Sequence, residues 1–168
     1  GYDDKLGFKS NFTTEELAAV LDTTIRIAKN TVTDGGSYED VVRKFFIPST
    51  TELNLANENS IAEGVVLSAY SGAADAARIA YATQAVITNT LSASKPASTA
   101  AAWHYWLRTP YSTYSHGVRS VLTSGALDGN LAYLGNLGLR PLCNLRSDIL
   151  VSDSVDGDGC YQTIFTTP

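Results

Sequence analysis

The sequence predicts an α+β fold, with helices early in the chain followed by small antiparallel strands and many loops. Near the N-terminus, apolar residues recur at helical spacing and form one stripe, which consists of Leu17, Leu21, Ile25 and Ala28. From Trp103 onward, apolar and polar residues alternate instead, as in half-buried strands. The 168 residues and their 44% apolar content suffice for one well-cored domain, so we expect residues 1–168 to form a single domain.

The first predicted helix begins with a capping box. Thr13 is placed to accept the backbone N–H of Glu16, while the Glu16 side chain reaches back to the backbone of Thr13. Phe12 and Leu17 flank this box at the positions of a hydrophobic staple. The apolar stripe then predicts that the helix continues to about Asn30.

The middle of the chain predicts one strand, two helices and a loop. Residues 44–48 form a short apolar run that ends at a proline, which predicts a strand. Residues 49–52 repeat the capping-box pattern and predict a short helix toward Leu55. The high alanine content of residues 73–85 favours a further helix. Residues 91–102 are nearly low-complexity, which is typical of a surface loop within one domain.

The second half of the chain predicts short strands joined by tight turns. Three segments have the alternation or composition of strands: residues 103–108, 118–122 and 139–145. Residues 131–139 carry apolar side chains on one parity, which suits either a strand or an irregular ribbon. Pro141 confines the strand predicted over residues 139–145 to a sheet edge or to a strand start. The dipeptides Ser124-Gly125 and Asp128-Gly129 are typical of tight turns, and residues 153–159 form another run of turn residues.

Two apolar blocks each contain one arginine and one proline. The first is Tyr-Trp-Leu-Arg-Thr-Pro at residues 105–110, and the second is Gly-Leu-Arg-Pro-Leu-Cys-Asn-Leu at residues 138–145. We interpret Trp106, Arg108 and Arg140 as structural. For the two arginines the reason is that a buried guanidinium persists only when its donors are paired with carbonyl groups or a carboxylate. The alternative is that the two arginines contact a ligand.

These two blocks resemble the W-W-L-R-S-P … G-V-R-P signature of an uncharacterised domain that is widespread in Gram-positive bacteria and their phages. The resemblance covers residues 12–145 and departs from the signature at Thr109, where serine is usual. It implies a C-type-lectin-like fold, related to formylglycine-generating-enzyme-type domains, with N-terminal helices packed on small antiparallel sheets with long loops. It also implies a virion protein on the phage particle surface, with other virion proteins as partners and a homo-oligomer within the particle.

Between the two blocks lies a segment rich in tyrosine, serine and histidine. Tyrosine offers a large amphipathic contact area at low entropic cost, and serine adapts its hydrogen bonds, so this composition is typical of recognition loops. We predict that a host-surface glycan or protein binds here, through Tyr111, Ser112, Tyr114, Ser115, His116, Tyr133 and Asn136. The alternative is an architectural role as a capsid or tail decoration domain, in which the same aromatic residues are buried against neighbouring subunits.

Charge and composition argue against several partners. The formal net charge of −5 includes no basic block, whereas a nucleic-acid groove needs clustered lysine and arginine to neutralise phosphates. No apolar run reaches the roughly 18 residues of a membrane span. The absence of methionine predicts that the chain is a processed or excised part of a larger polypeptide, which the resemblance implies is a virion polypeptide; a methionine-poor protein that lost only its initiator is the alternative.

No local signature predicts catalysis, a metal or a cofactor. His104 and His116 are not accompanied by a nucleophile elbow. The acidic residues 153–159 lack the complete spacing and the distal glutamate of an EF-hand, so we interpret them as a solvated turn. Cys143 and Cys160 either close one disulfide or remain as two half-buried thiols. The sequence therefore predicts a binding module that is not an enzyme.

Overall fold

The computed structural model of the chain describes residues 8–157 and 159–164. These residues form three short α-helices and seven strands in three small antiparallel sheets. The helices are α1 (Thr14–Ala19), α2 (Thr31–Asp34) and α3 (Gln84–Asn89). The strands are β1 (Thr23–Ala28), β2 (Tyr38–Arg43), β3 (Tyr105–Pro110), β4 (Gly117–Val121), β5 (Leu127–Leu131), β6 (Leu150–Val155) and β7 (Tyr161–Ile164). No helix in this part of the chain is long and apolar enough to cross a membrane.

The predicted C-type-lectin-like architecture is wrong. It required N-terminal helices packed on the sheets, and the described residues contain no such packing. The helix predicted to reach Asn30 ends at Ala19, and the chain then enters β1. Ile25, part of the apolar stripe, lies in the run Thr-Thr-Ile-Arg-Ile of β1. β-Branched side chains are stiff at χ1, which disfavours a helix and suits a pleated strand.

The capping box that begins α1 is confirmed. Thr13 Oγ1 accepts the N–H of Glu16 at 3.2 Å, and a carboxylate oxygen of Glu16 accepts the N–H of Thr13 at 2.7 Å. The helix still ends early, because the backbone beyond it bonds to a distant segment: the N–H of Leu21 donates to the oxygen of Asn144 at 2.8 Å. Tertiary pairing thus outweighs the local helical pattern here.

The chain divides into two compact units. The smaller unit consists of the described residues up to Thr23, of Val42–Phe46 and of the described residues from Cys143 onward. The larger unit consists of Thr24–Val41 and Ile47–Leu142, and it contains every residue of the predicted binding segment.

Three phenylalanine rings pack together in the smaller unit. The ring centroids of Phe12 and Phe45 are 4.6 Å apart, and Phe8 lies edge-on to both rings at 5.2 Å and 5.1 Å. Phe12, which the sequence pattern assigned to a hydrophobic staple, is therefore part of a ring cluster that joins residues distant in the chain. Such edge-on and stacked contacts contribute beyond simple area burial.

A hairpin of β6 and β7 forms the C-terminal part of the smaller unit. Leu150 lies opposite Ile164, and Val155 lies opposite Tyr161, in antiparallel register. These four side chains are between 45% and 60% exposed, so neither face of the hairpin is covered by the described residues. A two-stranded hairpin that is solvated on both faces has little independent stability.

Several predictions for the C-terminal segment are wrong. The turn predicted over residues 153–159 is shorter, because its first residues belong to β6; Asp158 lies outside the described residues. The strand predicted over residues 139–145 does not form, since most of this segment is irregular. Cys143 and Cys160 are exposed thiols that form no disulfide with each other, whereas the sequence predicted a bridge or two half-buried thiols.

The sheet β3-β4-β5 belongs to the larger unit, and β3 and β4 contribute side chains to its core. Its core consists of Leu53, Tyr105, Leu107 and Val121, each no more than 2% exposed. The strands predicted over residues 103–108 and 118–122 are confirmed as β3 and β4. The turn predicted at residues 128–129 is wrong, because Gly129 lies within β5 opposite Arg119. The turn at Ser124-Gly125 is confirmed, and it joins β4 to β5.

The segment between β2 and β3 contains less helix than predicted. The chain makes a single turn after Ser49, although both capping-box hydrogen bonds form between Ser49 and Glu52, at 3.1 Å and 3.0 Å. Residues 44–48 form no strand, because β2 ends at Arg43. A capping box therefore marks a turn in this chain as readily as a helix.

The helix predicted over residues 73–85 is also wrong. A 3₁₀ turn at Asp75–Arg78 takes its place, and α3 begins only at Gln84. The backbone between them pairs with the loop predicted over residues 91–102, which is confirmed: the N–H of Ala82 donates to the oxygen of Ala101 at 2.9 Å.

Candidate ligand-binding surface

Four aromatic side chains form a continuous line in the larger unit, which we call the aromatic row. Its members are Tyr111, Tyr114, His116 and Tyr133, and the successive ring centroids are 6.2, 5.0 and 5.9 Å apart. Tyr114 is 49% exposed and Tyr133 is 70% exposed, and His116 is exposed as well. Tyr111 is half-buried at one end. The row thus combines ring-to-ring packing with ring surface that faces solvent.

The turn between β3 and β4 produces this line. The N–H of Tyr111 donates to the oxygen of Gly117, and the N–H of Gly117 donates to the oxygen of Tyr114, both at 3.0 Å. A β-carbon at Gly117 would lie 2.9 Å from the β-carbons of both tyrosines, closer than such atoms approach. Only glycine at this position allows the two rings to stand side by side.

Two asparagines hold the backbone of this turn. Nδ2 of Asn30 donates to the oxygen of Tyr114 at 2.7 Å and to that of Tyr111 at 3.3 Å. Oδ1 of Asn30 meanwhile caps α2. Nδ2 of Asn59 donates to the oxygen of Pro110 at 2.9 Å. Both asparagines bond to main-chain oxygens, so the course of the turn is fixed by residues far away in the sequence.

The ring of Tyr111 is covered by a paired arginine. The guanidinium carbon of Arg119 lies 3.8 Å from the ring centroid, in cation–π geometry. Nε and Nη2 of Arg119 contact Oε1 of Glu58 at 2.8 Å and 2.7 Å. The same oxygen accepts the N–H of Ser112 at 3.2 Å. At Gly129, a β-carbon would lie 2.6 Å from Cδ1 of Tyr111, so the ring rests on bare backbone there.

The remaining predicted site residues divide into two groups. Ser112 and Ser115 lie in the turn with the row, and Ser115 Oγ is 3.0 Å from His116 Nδ1. Asn136 is bonded elsewhere: its backbone oxygen accepts from Thr90 Oγ1 at 3.2 Å and lies 3.2 Å from His104 Nε2. The structure therefore brings together six of the seven predicted residues and ties Asn136 to other partners.

Arg108, predicted as structural, is buried in a polar network. It makes a bidentate ion pair with Glu52, at 2.6 Å and 2.8 Å, and its side chain is only 6% exposed. Its other donors reach the backbone oxygens of Arg26, Ile47 and Glu63 at 2.7–3.1 Å. All donor groups of the guanidinium are thus used within the protein.

Glu63 is the second carboxylate of this network, and it is fully buried. One of its oxygens accepts the N–H of Ala28 at 3.0 Å, and the other accepts the hydroxyl of Thr109. Burial raises the pKa of Glu63, although these hydrogen bonds and the charge of Arg108 act in the opposite direction. This position has no exposed surface for a ligand.

Trp106 and Arg140 were also predicted as structural. Trp106 is half-buried, and its N–H donates to the oxygen of Gly138 at 3.0 Å. Nη1 of Arg140 lies 3.3 Å from the hydroxyl of Tyr105. That hydroxyl donates to the oxygen of Arg78, a buried arginine on which sequence reasoning placed no role.

A shallow cleft lies beside the turn after Ser49, with a volume of about 260 Å³. None of its lining residues carries a titratable side chain, so the cleft offers no group for acid–base chemistry. The lining residues are Thr51, Asn54, Leu55, Asn57, Ser60, Ile61, Ala62 and Val66. Within the described residues, no group of three or more histidine, cysteine or acidic side chains converges as a metal site.

Sequence reasoning missed Asn30, Glu58, Asn59 and Arg119. Asn30 was interpreted as a helix end, and Glu58 belongs to no motif. Arg119 carries a usable signal, because the register of β4 and β5 places it opposite Gly129, where a glycine leaves room for a ring. The turn predicted at residues 128–129 hid this signal, because Gly129 lies in β5.

Comparison with known proteins shows one family. The model of the family described as Domain of unknown function (DUF6273) matches residues 5–147, so the chain belongs to this family. The match includes the whole aromatic row and ends before the β6–β7 hairpin. Neither the curated proteins nor the solved structures contain a match.

Proposed function

We propose that this member of the DUF6273 family is a non-enzymatic binding module that recognises a glycan or protein of a host cell surface through the aromatic row. The observation that carries the proposal is the unbroken line of ring contacts from Tyr111 to Tyr133, in which Tyr114 is 49% and Tyr133 is 70% exposed. Contiguous exposed aromatic surface is typical of interaction sites.

Two further features support recognition. The backbone under the row is held by Asn30 and Asn59, which lowers the entropic cost of binding because the turn is ordered in advance. Arg119, which lies over the ring of Tyr111, is paired with Glu58, so this cation adds no net charge to the row, which suits a neutral ligand surface. The proposed location on a phage particle is supported by the resemblance of residues 105–110 and 138–141 to the signature of a domain that is widespread in Gram-positive bacteria and their phages.

Binding is tested with an array of purified bacterial surface polysaccharides and with intact Gram-positive cells. We expect Tyr114→Ala and Tyr133→Ala to weaken binding about tenfold or more, the size of effect seen when an aromatic anchor is truncated. Tyr81→Ala is the matched control, since Tyr81 is 64% exposed and outside the row. Equal losses in all three variants, or no binding by the unaltered protein to either probe, would rule out the aromatic row as the binding site.

The exposed hairpin favours a second candidate function. β6 and β7 carry five large apolar side chains that are each at least 45% exposed: Leu150, Val151, Val155, Tyr161 and Ile164. An uncovered pair of strands presents unpaired edges that can join another sheet. An architectural role, in which the module decorates a capsid or tail through subunit contacts, would use this hairpin.

A further inference from the structure

We infer that Glu58 is a positioning residue for the aromatic row, whose carboxylate holds Arg119 against Tyr111 and so fixes the first ring before a ligand arrives. The inference rests on the proposed function, because it concerns the same surface. It adds a residue that lies outside the row and that no sequence motif marks.

The first step in the argument is the convergence of three contacts on one oxygen. Oε1 of Glu58 lies 2.8 Å from Nε and 2.7 Å from Nη2 of Arg119, and it accepts the N–H of Ser112 at 3.2 Å. Hydrogen bonds between charged groups are stronger than those between neutral groups. The Arg119 side chain is only 14% exposed, so solvent screens this pair less than an exposed one.

The second step is the position of Tyr111 between two supports. Arg119 covers the ring at 3.8 Å, and the backbone of Gly129 lies so close that a β-carbon there would be 2.6 Å from Cδ1 of the ring and 3.5 Å from Nη1 of Arg119. Without Glu58, the long arginine side chain would regain its rotamer freedom and release the ring. Ser112, the next residue, would lose its backbone partner at the same time.

The test uses the ligand-free protein and the variants Glu58→Ala and Glu58→Gln. We expect Glu58→Ala to reduce the hydrogen-exchange protection of the Ser112 amide about tenfold or more, because a hydrogen bond to a charged group is lost. The upfield ring-current shift of the Arg119 side-chain protons should collapse in the same variant. Glu58→Gln keeps an acceptor oxygen without the charge, and we expect it to retain part of both signals.

Glu39→Ala is the matched control, since Glu39 is an exposed carboxylate paired with Lys29 at 3.7 Å. We expect it to leave the Ser112 and Arg119 signals unchanged. Unaltered signals in Glu58→Ala, or an equal loss of protection at the core amide of Arg108, would overturn the inference. Because these measurements need no ligand, they are independent of the array experiment: a protein that binds no probe refutes the proposed function and leaves the role of Glu58 to be decided here.

Discussion

At the scale of single residues, the carboxylate of Glu63 is buried in a position that disfavours its charged form. Glu63 is fully buried, and Glu52, the other carboxylate of the network, holds Arg108 in a bidentate pair. Two carboxylates therefore lie near one guanidinium, and burial raises the pKa of Glu63. Removing one partner of the buried Arg108–Glu52 pair would be strongly destabilising, because it leaves the other charge buried and unpaired. Protonation of Glu63, in contrast, removes one negative charge from the network and leaves that pair in place.

This arrangement predicts the pH dependence of stability at Glu63. A carboxyl group whose folded-state pKa is raised binds its proton more tightly in the folded state, so its contribution is fully present below its unfolded pKa and is lost as pH rises through the folded-state value. The free energy of unfolding of the unaltered protein should therefore fall, relative to Glu63→Gln, as pH rises above about 4.5. Urea unfolding of both proteins between pH 4 and 8 (roughly the range over which carboxyl groups and histidines titrate) measures this difference.

The prediction concerns how the difference in unfolding free energy between the two proteins changes with pH. Its absolute size is not informative, because Glu63→Gln also alters the hydrogen bonds to Ala28 and Thr109, and this contribution does not depend on pH. Glu39→Gln removes an exposed negative charge and serves as the control for net charge. A difference that is flat with pH, or one that grows in the opposite direction, would show that Glu63 stays ionised in the folded protein as easily as in the unfolded chain.

At the scale of elements, the β4–β5 hairpin depends on a glycine in its turn. Gly125 has φ +86°, and a β-carbon there would lie 1.8 Å from the backbone oxygen of Asp75. The turn is thus pressed against the 3₁₀ turn Asp75–Arg78 as well as being in the left-handed region. Both the conformation and the contact exclude a side chain at this position.

We expect Gly125→Ala to destabilise the protein by about 3 kcal/mol or more, since the alanine adds a backbone clash to the cost of a left-handed conformation. Gly72→Ala separates the cost of the left-handed conformation from the cost of the backbone clash. Gly72 has φ +68°, and no other atom lies within 4 Å of the position that a β-carbon would take, so only the conformational cost of about 1–2 kcal/mol applies. Thermal or urea unfolding compares the two variants, and equal losses would mean that the contact with Asp75 carries no energy.

Some of these elements could be predicted from the sequence and others could not. β3, β4 and the Ser124-Gly125 turn were predictable because alternation and turn chemistry are local signals. The early helix was overestimated because only Leu17 of the apolar stripe lies in α1. Leu21 bonds to Asn144, and Ile25 and Ala28 lie in β1, which pairs with β2. Long-range backbone pairing leaves no trace in a short sequence window.

At the scale of the whole molecule, the candidate site was partly predictable. The composition of residues 111–116 marked the segment, and the structure brings Tyr133 to it through the pairing of Gly117 with Leu131. The residues that hold the segment come from positions 30, 58 and 59, and their side chains bond to it through the tertiary fold. Such contacts depend on topology, so the supporting residues could not be named from the sequence.

The hairpin predicts the behaviour of a shortened chain. The family match ends at residue 147, and β6 and β7 are exposed on both faces. We expect a chain that ends at Asp148 to keep the midpoint of thermal unfolding within about 2 °C of the longer chain, because the apolar side chains described in β6 and β7 are largely exposed. Scanning calorimetry measures the midpoint, and sedimentation velocity shows whether any self-association is lost with the hairpin. A large drop in the midpoint would show that the hairpin is part of the folded core.

The asparagine contacts beneath the aromatic row have a consequence for diversification. Asn30 and Asn59 bond to the main-chain oxygens of Pro110, Tyr111 and Tyr114, which every amino acid possesses. Exchanging the side chains of the turn therefore leaves its anchoring intact, provided that Gly117 is kept. We expect relatives with different residues at these positions to share the same loop path and to differ in what they recognise, so that new specificities can arise here without a new scaffold.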